Sequence, residues 1–190
     1  MNVLDHLKNS AVIDIKNYCK NNSINAGVAM MHVNGDFNLS TLIRNANFFG
    51  FNEVCYVGHK KWDRRGSVGT HHYTDLLYFR NEEFFVDYLN HSRYTLICIE
   101  NNIPEYKHKT VELDELDFLS DIEKPMFVFG EETNGLSDFM LDNSKLIVTI
   151  PAYGSVRSLN VGTTSGIIMC QYRLALNSNN YDKSFSKSIQ

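Results

Sequence analysis

Residues 146–160 are Leu146-Ile-Val-Thr-Ile150-Pro-Ala-Tyr-Gly154-Ser-Val-Arg-Ser158-Leu-Asn160. The run from Leu146 to Ile150 is almost wholly apolar and β-branched, as a strand covered on both faces of a parallel sheet would be. Pro151 cannot donate to a strand ladder and ends it, while Gly154 permits the chain to reverse. Ser158 and Asn160 are residue types that cap helices, so a helix is expected from Ser158 to Leu176. Within it Leu159, Thr163, Ile167, Cys170 and Leu174 recur at helical spacing. Gly162 and Gly166 weaken such a helix and imply close approach by a ligand or another element.

The same alternation extends towards the N-terminus. Gly27 to Val33, Glu53 to Val57, Tyr94 to Ile99 and Met126 to Phe129 read as further buried strands. Helical periods cover Asn38 to Phe49, Glu82 to Leu89, a weak Val111 to Leu119, and Leu136 to Leu141. This β-α order predicts an α/β fold, a largely parallel sheet sandwiched by helices. A single helix from Val3 to Cys19 is expected as an N-terminal extension over 1–24, ahead of one domain over 25–176. The Asn-, Ser- and Lys-rich stretch 177–190 is expected to be a polar, flexible tail.

Composition narrows the function classes. The 190 residues are 43% hydrophobic and 21% charged, enough for one sizeable core and against intrinsic disorder. No apolar run approaches the roughly 20 residues of a membrane span, and the first residues do not resemble a signal peptide, so a cytoplasmic protein is expected. Cys19, Cys55, Cys98 and Cys170 lie far apart and lack Cys-x-x-Cys spacing, which speaks against zinc and disulfides. A net charge of −4 excludes a protein that coats nucleic acid by charge alone, so any RNA site must be a local patch.

Three stretches concentrate polar chemistry: 38–46 (NLSTLIRNA), 130–135 (GEETNG) and 150–160 (IPAYGSVRSLN). In an open α/β sheet, ligands bind beyond the carboxyl ends of strands, so the loops after Phe129 and Ile150 would share one crevice if their strands are neighbours. Gly130 and Gly135 flank two carboxylates in what could be a tight cofactor loop, or an ordinary turn with Asn134 left-handed. Leu39, Leu42, Ile43, Ala46 and Phe49 form the apolar stripe of their helix, and Arg44 projects from the opposite side. Packing does not account for that arginine. The segment 59–65 (HKKWDRR) sets Lys60, Lys61, Arg64 and Arg65 beside Trp62, the only tryptophan, a combination suited to phosphate contact and base stacking. His71 and His72, if in a strand, would point to opposite faces and could not share a metal.

Taken together and in this order, the three stretches resemble the signature motifs of the SpoU/TrmH branch of the SPOUT RNA ribose 2′-O-methyltransferases. The matching residues are Asn38, Arg44, Ala46 and Phe49-Gly50; then Gly130, Glu132 and Gly135; then Ile150-Pro151, Gly154 and Ser158-Leu159-Asn160-Val161. The resemblance implies a C-terminal deep trefoil knot, a homodimer, and S-adenosylmethionine held by the backbones of Gly130, Ile150 and Leu159 beside Gly135 and Gly154. It also implies that Arg44, Glu132, Ser158 and Asn160 line the reacting end, supported by Asn38, with no metal. A guanidinium stays protonated to above about pH 12, so Arg44, supplied by the partner subunit, would bind phosphate and stabilise the alkoxide rather than act as a base. Departures from the motifs are Phe37 where proline is frequent, Ser40 where glycine is usual, and Gly162-Thr163-Thr164 in place of Ser-Val-Ala. The substrate expected is RNA, tRNA ahead of rRNA, and the acidic balance calls for either a helper protein or the basic strip from Lys60 to Arg65 to supply affinity. The alternatives are a non-catalytic RNA-binding or assembly protein of the same fold, and a base-modifying SPOUT enzyme.

Overall fold

A computed structural model of the chain describes residues 3–33, 37–114 and 122–187. Among these residues seven strands form one parallel sheet: β1 (Ile24–Val33), β2 (Phe51–Gly58), β3 (Leu76–Phe79), β4 (Thr95–Ile99), β5 (Thr110–Glu112), β6 (Pro125–Phe129) and β7 (Leu146–Thr149). Their order is β3-β2-β1-β6-β4-β7-β5. The helices are α1 (Val12–Asn21), α2 (Asn38–Phe49), α3 (Glu82–His91), α4 (Asp138–Asn143) and α5 (Val161–Lys187).

The sheet divides the core into two layers. On one face α2 and α5 cover Val28, Met30, Phe127 and Phe129, with the Phe127 ring 5.1 Å from Tyr172 of α5. On the other, α3 and α4 cover Ala29, Met31, Cys98 and Val128. Alternate residues of β1 and β6 thus serve opposite layers, which is why these strands are apolar throughout. No helix among the described residues is long and apolar enough to cross a membrane.

Local chemistry sets the helix ends. Asn81 caps α3 by accepting from Phe84 N, and Ser137 caps α4 by accepting from Met140 N, both at 3.2 Å. Gly50 closes α2 in a left-handed conformation at φ 71°.

The structure corrects several expectations. The stretch expected as one helix from Val3 is a short 3-10 turn, Asp5–Leu7, followed by α1, broken where Asn9 and Ser10 favour a turn over helix. Thr110–Glu112 is the edge strand β5, not the start of a helix, and the remainder of that expected helix, 115–119, lies outside the described residues. Edge strand β3 was also unforeseen. Asn160 caps α5, which begins at Val161 rather than Ser158, and no Gly or Pro beyond Gly166 stops it before Lys187, so most of the expected tail continues the helix.

Cys55 and Cys98 are fully buried, and burial raises both thiols, Cys98 to about 12. Cys19 and Cys170 are partly exposed. Ellman's reagent at pH 8 should therefore modify only Cys19 and Cys170 in the native protein and all four after unfolding; rapid native labelling of Cys98 would contradict the β4 placement.

Candidate active site

The two glycine-containing loops do not follow neighbouring strands: β4 stands between β6 and β7. Three polar residues at its end join them. The Glu100 carboxylate accepts from Leu136 N through Oε2 at 3.0 Å and from Asn101 N through Oε1 at 2.9 Å. Asn101 grips the other loop: its Nδ2 donates to Ile150 O at 3.0 Å, and its Oδ1 accepts from Ile150 N at 3.1 Å and from Thr149 Oγ1 at 2.7 Å. Asn102 then donates to Arg157 O at 3.0 Å.

Over this tripeptide opens a cleft of about 300 Å³, lined among others by Gly130, Glu132, Gly135, Ile150, Ser158 and Leu159. That volume is at the lower end for small-molecule and cofactor sites. Residues 130–135 curl so tightly that a β-carbon on Gly130 would overlap the Gly135 backbone. Gly135 itself is left-handed, φ 67°, and a side chain there would strike the Glu100 carboxylate. Asn134 is not left-handed, as the turn reading had it; its amide instead bonds the Glu131 carboxylate. Gly154 does not line the cleft, and neither its φ nor a close contact requires glycine.

Asn160 draws the three stretches together. Its Nδ2 donates to Asn38 Oδ1 at 3.0 Å and to the Glu132 carboxylate, while its Oδ1 accepts from Thr163 N at 3.1 Å. One side chain therefore both caps α5 and assembles the site. The glycines of α5 mark close approach to α2: a β-carbon on Gly162 would lie 2.8 Å from Thr41 Cγ2, and Asn45 Nδ2 donates to Gly162 O at 3.0 Å. Ser40, which stands where glycine is usual, is buried and donates through Oγ to Asp63 O. Thr164 Oγ1 donates to Asn160 O at 3.0 Å, so the departure at 162–164 adds a bond to the same corner.

Arg44 is elsewhere. It is exposed on α2 opposite the apolar stripe, as expected, and lines a second groove of about 810 Å³ with Arg173, Gly66 and Thr70 rather than the cleft. The basic segment is folded. Lys61 is exposed, Lys60 Nζ lies 5.7 Å from the Tyr78 ring, and the Arg64 guanidinium 5.8 Å from the Trp62 ring. Trp62 is half-buried against the core. Arg65 pairs with Asp63, whose carboxyl its hydrogen bonds hold below the ordinary value. His71 and His72 lie in a 3-10 turn and not a strand, with rings stacked 4.1 Å apart, contrary to the opposite-face expectation. Among the described residues no group of three His, Cys, Asp or Glu could hold a metal.

Residues 25–170 match the SpoU rRNA Methylase family. The chain belongs to that family. Solved structures similar to this SpoU-family chain include an A. aeolicus TrmH/SpoU tRNA modifying enzyme, with TM-score 0.73 and 17% identity over 89% of this chain and 84% of that one. Another is the SpoU methyltransferase AviRb from Streptomyces viridochromogenes in complex with AdoMet, with TM-score 0.69 and 21% identity over 80% of this chain and 60% of that one. A third, from work on 2-OH methylation of C/U34 on tRNA, has TM-score 0.67 and 18% identity, and the match covers 80% of this chain and 97% of that one. No curated protein sequence matches the chain.

Sequence reasoning missed Glu100, Asn101 and Asn102 in this SpoU-family chain. A polar tripeptide directly after a buried strand is the signal that could have found them. Replacing Asn101 by Ala leaves the half-buried Ile150 N–H and C=O without partners and should cost about 1–3 kcal/mol of stability by urea unfolding. An unchanged midpoint would show that the two loops do not depend on it.

Proposed function

We propose that this chain transfers a methyl group from S-adenosylmethionine to a ribose 2′-hydroxyl of RNA, tRNA ahead of rRNA, as a cytoplasmic homodimer. The observation that carries the proposal is the Asn160 amide bonded to both Asn38 and Glu132 beside a glycine-built cleft. Three stretches far apart in sequence share that corner, which a domain kept only for its fold would not require.

The residues of the cleft fit this cofactor. Gly130 and Gly135 carry no side chain, and the space a β-carbon would need is already filled by the Gly135 backbone and the Glu100 carboxylate, so this loop would meet a ligand through its backbone. The Ile150 N–H and C=O are engaged by Asn101, so, contrary to the backbone role expected of it, Ile150 would offer its side chain, and the exposed Leu159 its backbone. Glu100 would keep the loop after β6 in register from below. When bound, the cofactor supplies an electrophilic methyl on a sulfonium; transfer to the ribose oxygen would break the methyl–sulfur bond, leave a neutral thioether and release the hydroxyl proton to water, with no need of a metal.

The chain's own residues position the acceptor. Ser158, exposed at the cleft, would orient the ribose hydroxyl, while Asn160 holds Glu132 and Asn38 in place. Arg44, outside the cleft of its own subunit, would enter the partner's and hold phosphate and developing alkoxide with its planar fork. Phe48 of α2 is 81% exposed and Leu174 of α5 is 56% exposed, apolar surface on the helices that would meet in the dimer. The passage from loop 151–160 into α5 is the segment we read as a trefoil knot, a rare exception to unknotted topology. Lys60, Lys61, Arg64 and Arg65 with Trp62 would supply local RNA contact on an otherwise acidic chain, with a helper protein adding affinity.

Two relatives support the RNA class: one is described as a tRNA modifying enzyme, and the other concerns 2-OH methylation on tRNA and is matched over 97% of its length. Incubation with labelled S-adenosylmethionine and total tRNA or rRNA should place label in 2′-O-methylated nucleosides of tRNA. Label in a base, or none, would contradict the reading. Arg44→Lys should lower turnover about 100-fold without changing cofactor affinity, and undiminished turnover would remove Arg44 from the mechanism.

A further inference from the structure

Between β2 and β3 the chain makes two 3-10 turns, Arg65–Ser67 and Thr70–His72, joined through Val68 and Gly69. Both joining residues are left-handed, at φ 48° and 84°. For β-branched valine that conformation is unfavourable. Val68 is 48% exposed, so core packing does not account for it.

The reversal brings rings together. His71 meets Trp62 edge-on at 5.7 Å, and His72, itself exposed, stacks on His71 at 4.1 Å with planes 36° apart. Buried Ser67 sets the orientation: its Oγ lies 2.8 Å from Arg64 O and 2.6 Å from His71 Nδ1. The carbonyl can only accept, so the hydroxyl proton goes to it, and His71 Nδ1–H donates to Ser67 Oγ. Burial, with His72 and Arg64 nearby, lowers the His71 pKa and so favours the neutral ring.

The pile also sits beside the reacting corner. Asp63 O accepts from Ser40, a β-carbon on Gly66 would lie 2.8 Å from Ser40 Cβ, and the Arg65 guanidinium lies 5.1 Å from the Phe37 ring. Phe37 precedes Asn38, the partner of Asn160.

We propose that Trp62, His71 and His72 form a stacking platform for an unpaired nucleobase of the RNA substrate, with Arg64 and Lys61 on the flanking phosphates. Ring faces accept any base, whereas a paired base in A-form RNA keeps its faces inside the helix. The feature selected is therefore a single-stranded loop or flipped nucleotide and not a duplex. This inference rests on the RNA reading given above and extends it to residues His71 and His72.

Trp62, the only tryptophan, reports the contact by fluorescence. The full chain is titrated at fixed salt with an RNA hairpin bearing an unpaired adenine-containing loop, and with a fully paired duplex of equal length. The hairpin should quench Trp62 and bind at least about tenfold more tightly than the duplex; His72→Ala should weaken hairpin binding about tenfold, and His72→Phe should restore it. Equal affinities, no binding of either RNA, or His72→Ala binding like the parent would overturn the platform. Label transfer run in parallel separates the two claims. A His72→Ala protein that methylates RNA with unchanged KM refutes the platform alone; a parent chain that binds the hairpin through His72 but labels no RNA refutes methyl transfer alone.

Discussion

One side-chain amide, that of Asn160, is the junction on which the rest of the site depends. Both of its donors and its acceptor are engaged, with Asn38, Glu132 and Thr163. The bond to Asn38 closes a separation of 122 residues in sequence. Because the oxygen of the same amide caps α5 while its nitrogen bonds Asn38 and Glu132, the helix cannot shift along its axis without breaking the corner. The close glycine contacts between α5 and α2 impose the same restriction from the side, since a larger residue at 162 would meet Thr41.

A second constraint is the strand order. With β4 inserted between β6 and β7, the cleft spans three strand ends, and the loops on either side would be independent without a tie. Glu100, Asn101 and Asn102 supply it by using backbone groups of both loops as partners. Unpaired polar groups in a half-buried cleft are costly, so satisfying them also fixes the loops. The arrangement gives a preformed cavity, held by fixed hydrogen bonds, in place of one closed only by its ligand.

The sequence shows the parallel core plainly, because strands buried on both faces are apolar without alternation, as in 146–150 and 126–129. It does not show β3 or β5, which are short, half-buried edges whose composition resembles loop. The motif residues Asn38, Glu132 and Asn160 were legible as a set, and they meet. Ser158, Leu159, Gly130, Gly135 and Ile150 line one cleft as the loop argument required, although the neighbouring strands it assumed are separated. Gly154 is not part of it. The β4 tripeptide stayed hidden because its role depends on strand order, which no local pattern encodes.

Arg44 and the cleft lie on separate parts of the chain, so in the homodimer proposed above each site would be composite. Mixing subunits tests this most directly. Arg44→Ala and Leu159→Trp proteins, each inactive alone because one lacks the cation and the other has a filled cleft, are unfolded together, refolded and assayed for methyl transfer. If Arg44 acts in the partner's cleft, half of the dimers are mixed and carry one intact site each, so activity should return to about a quarter of the parent's in a symmetric two-site dimer. No recovery, with mixed dimers shown to form, would place Arg44 in its own subunit's site or outside the reaction, and would contradict the account.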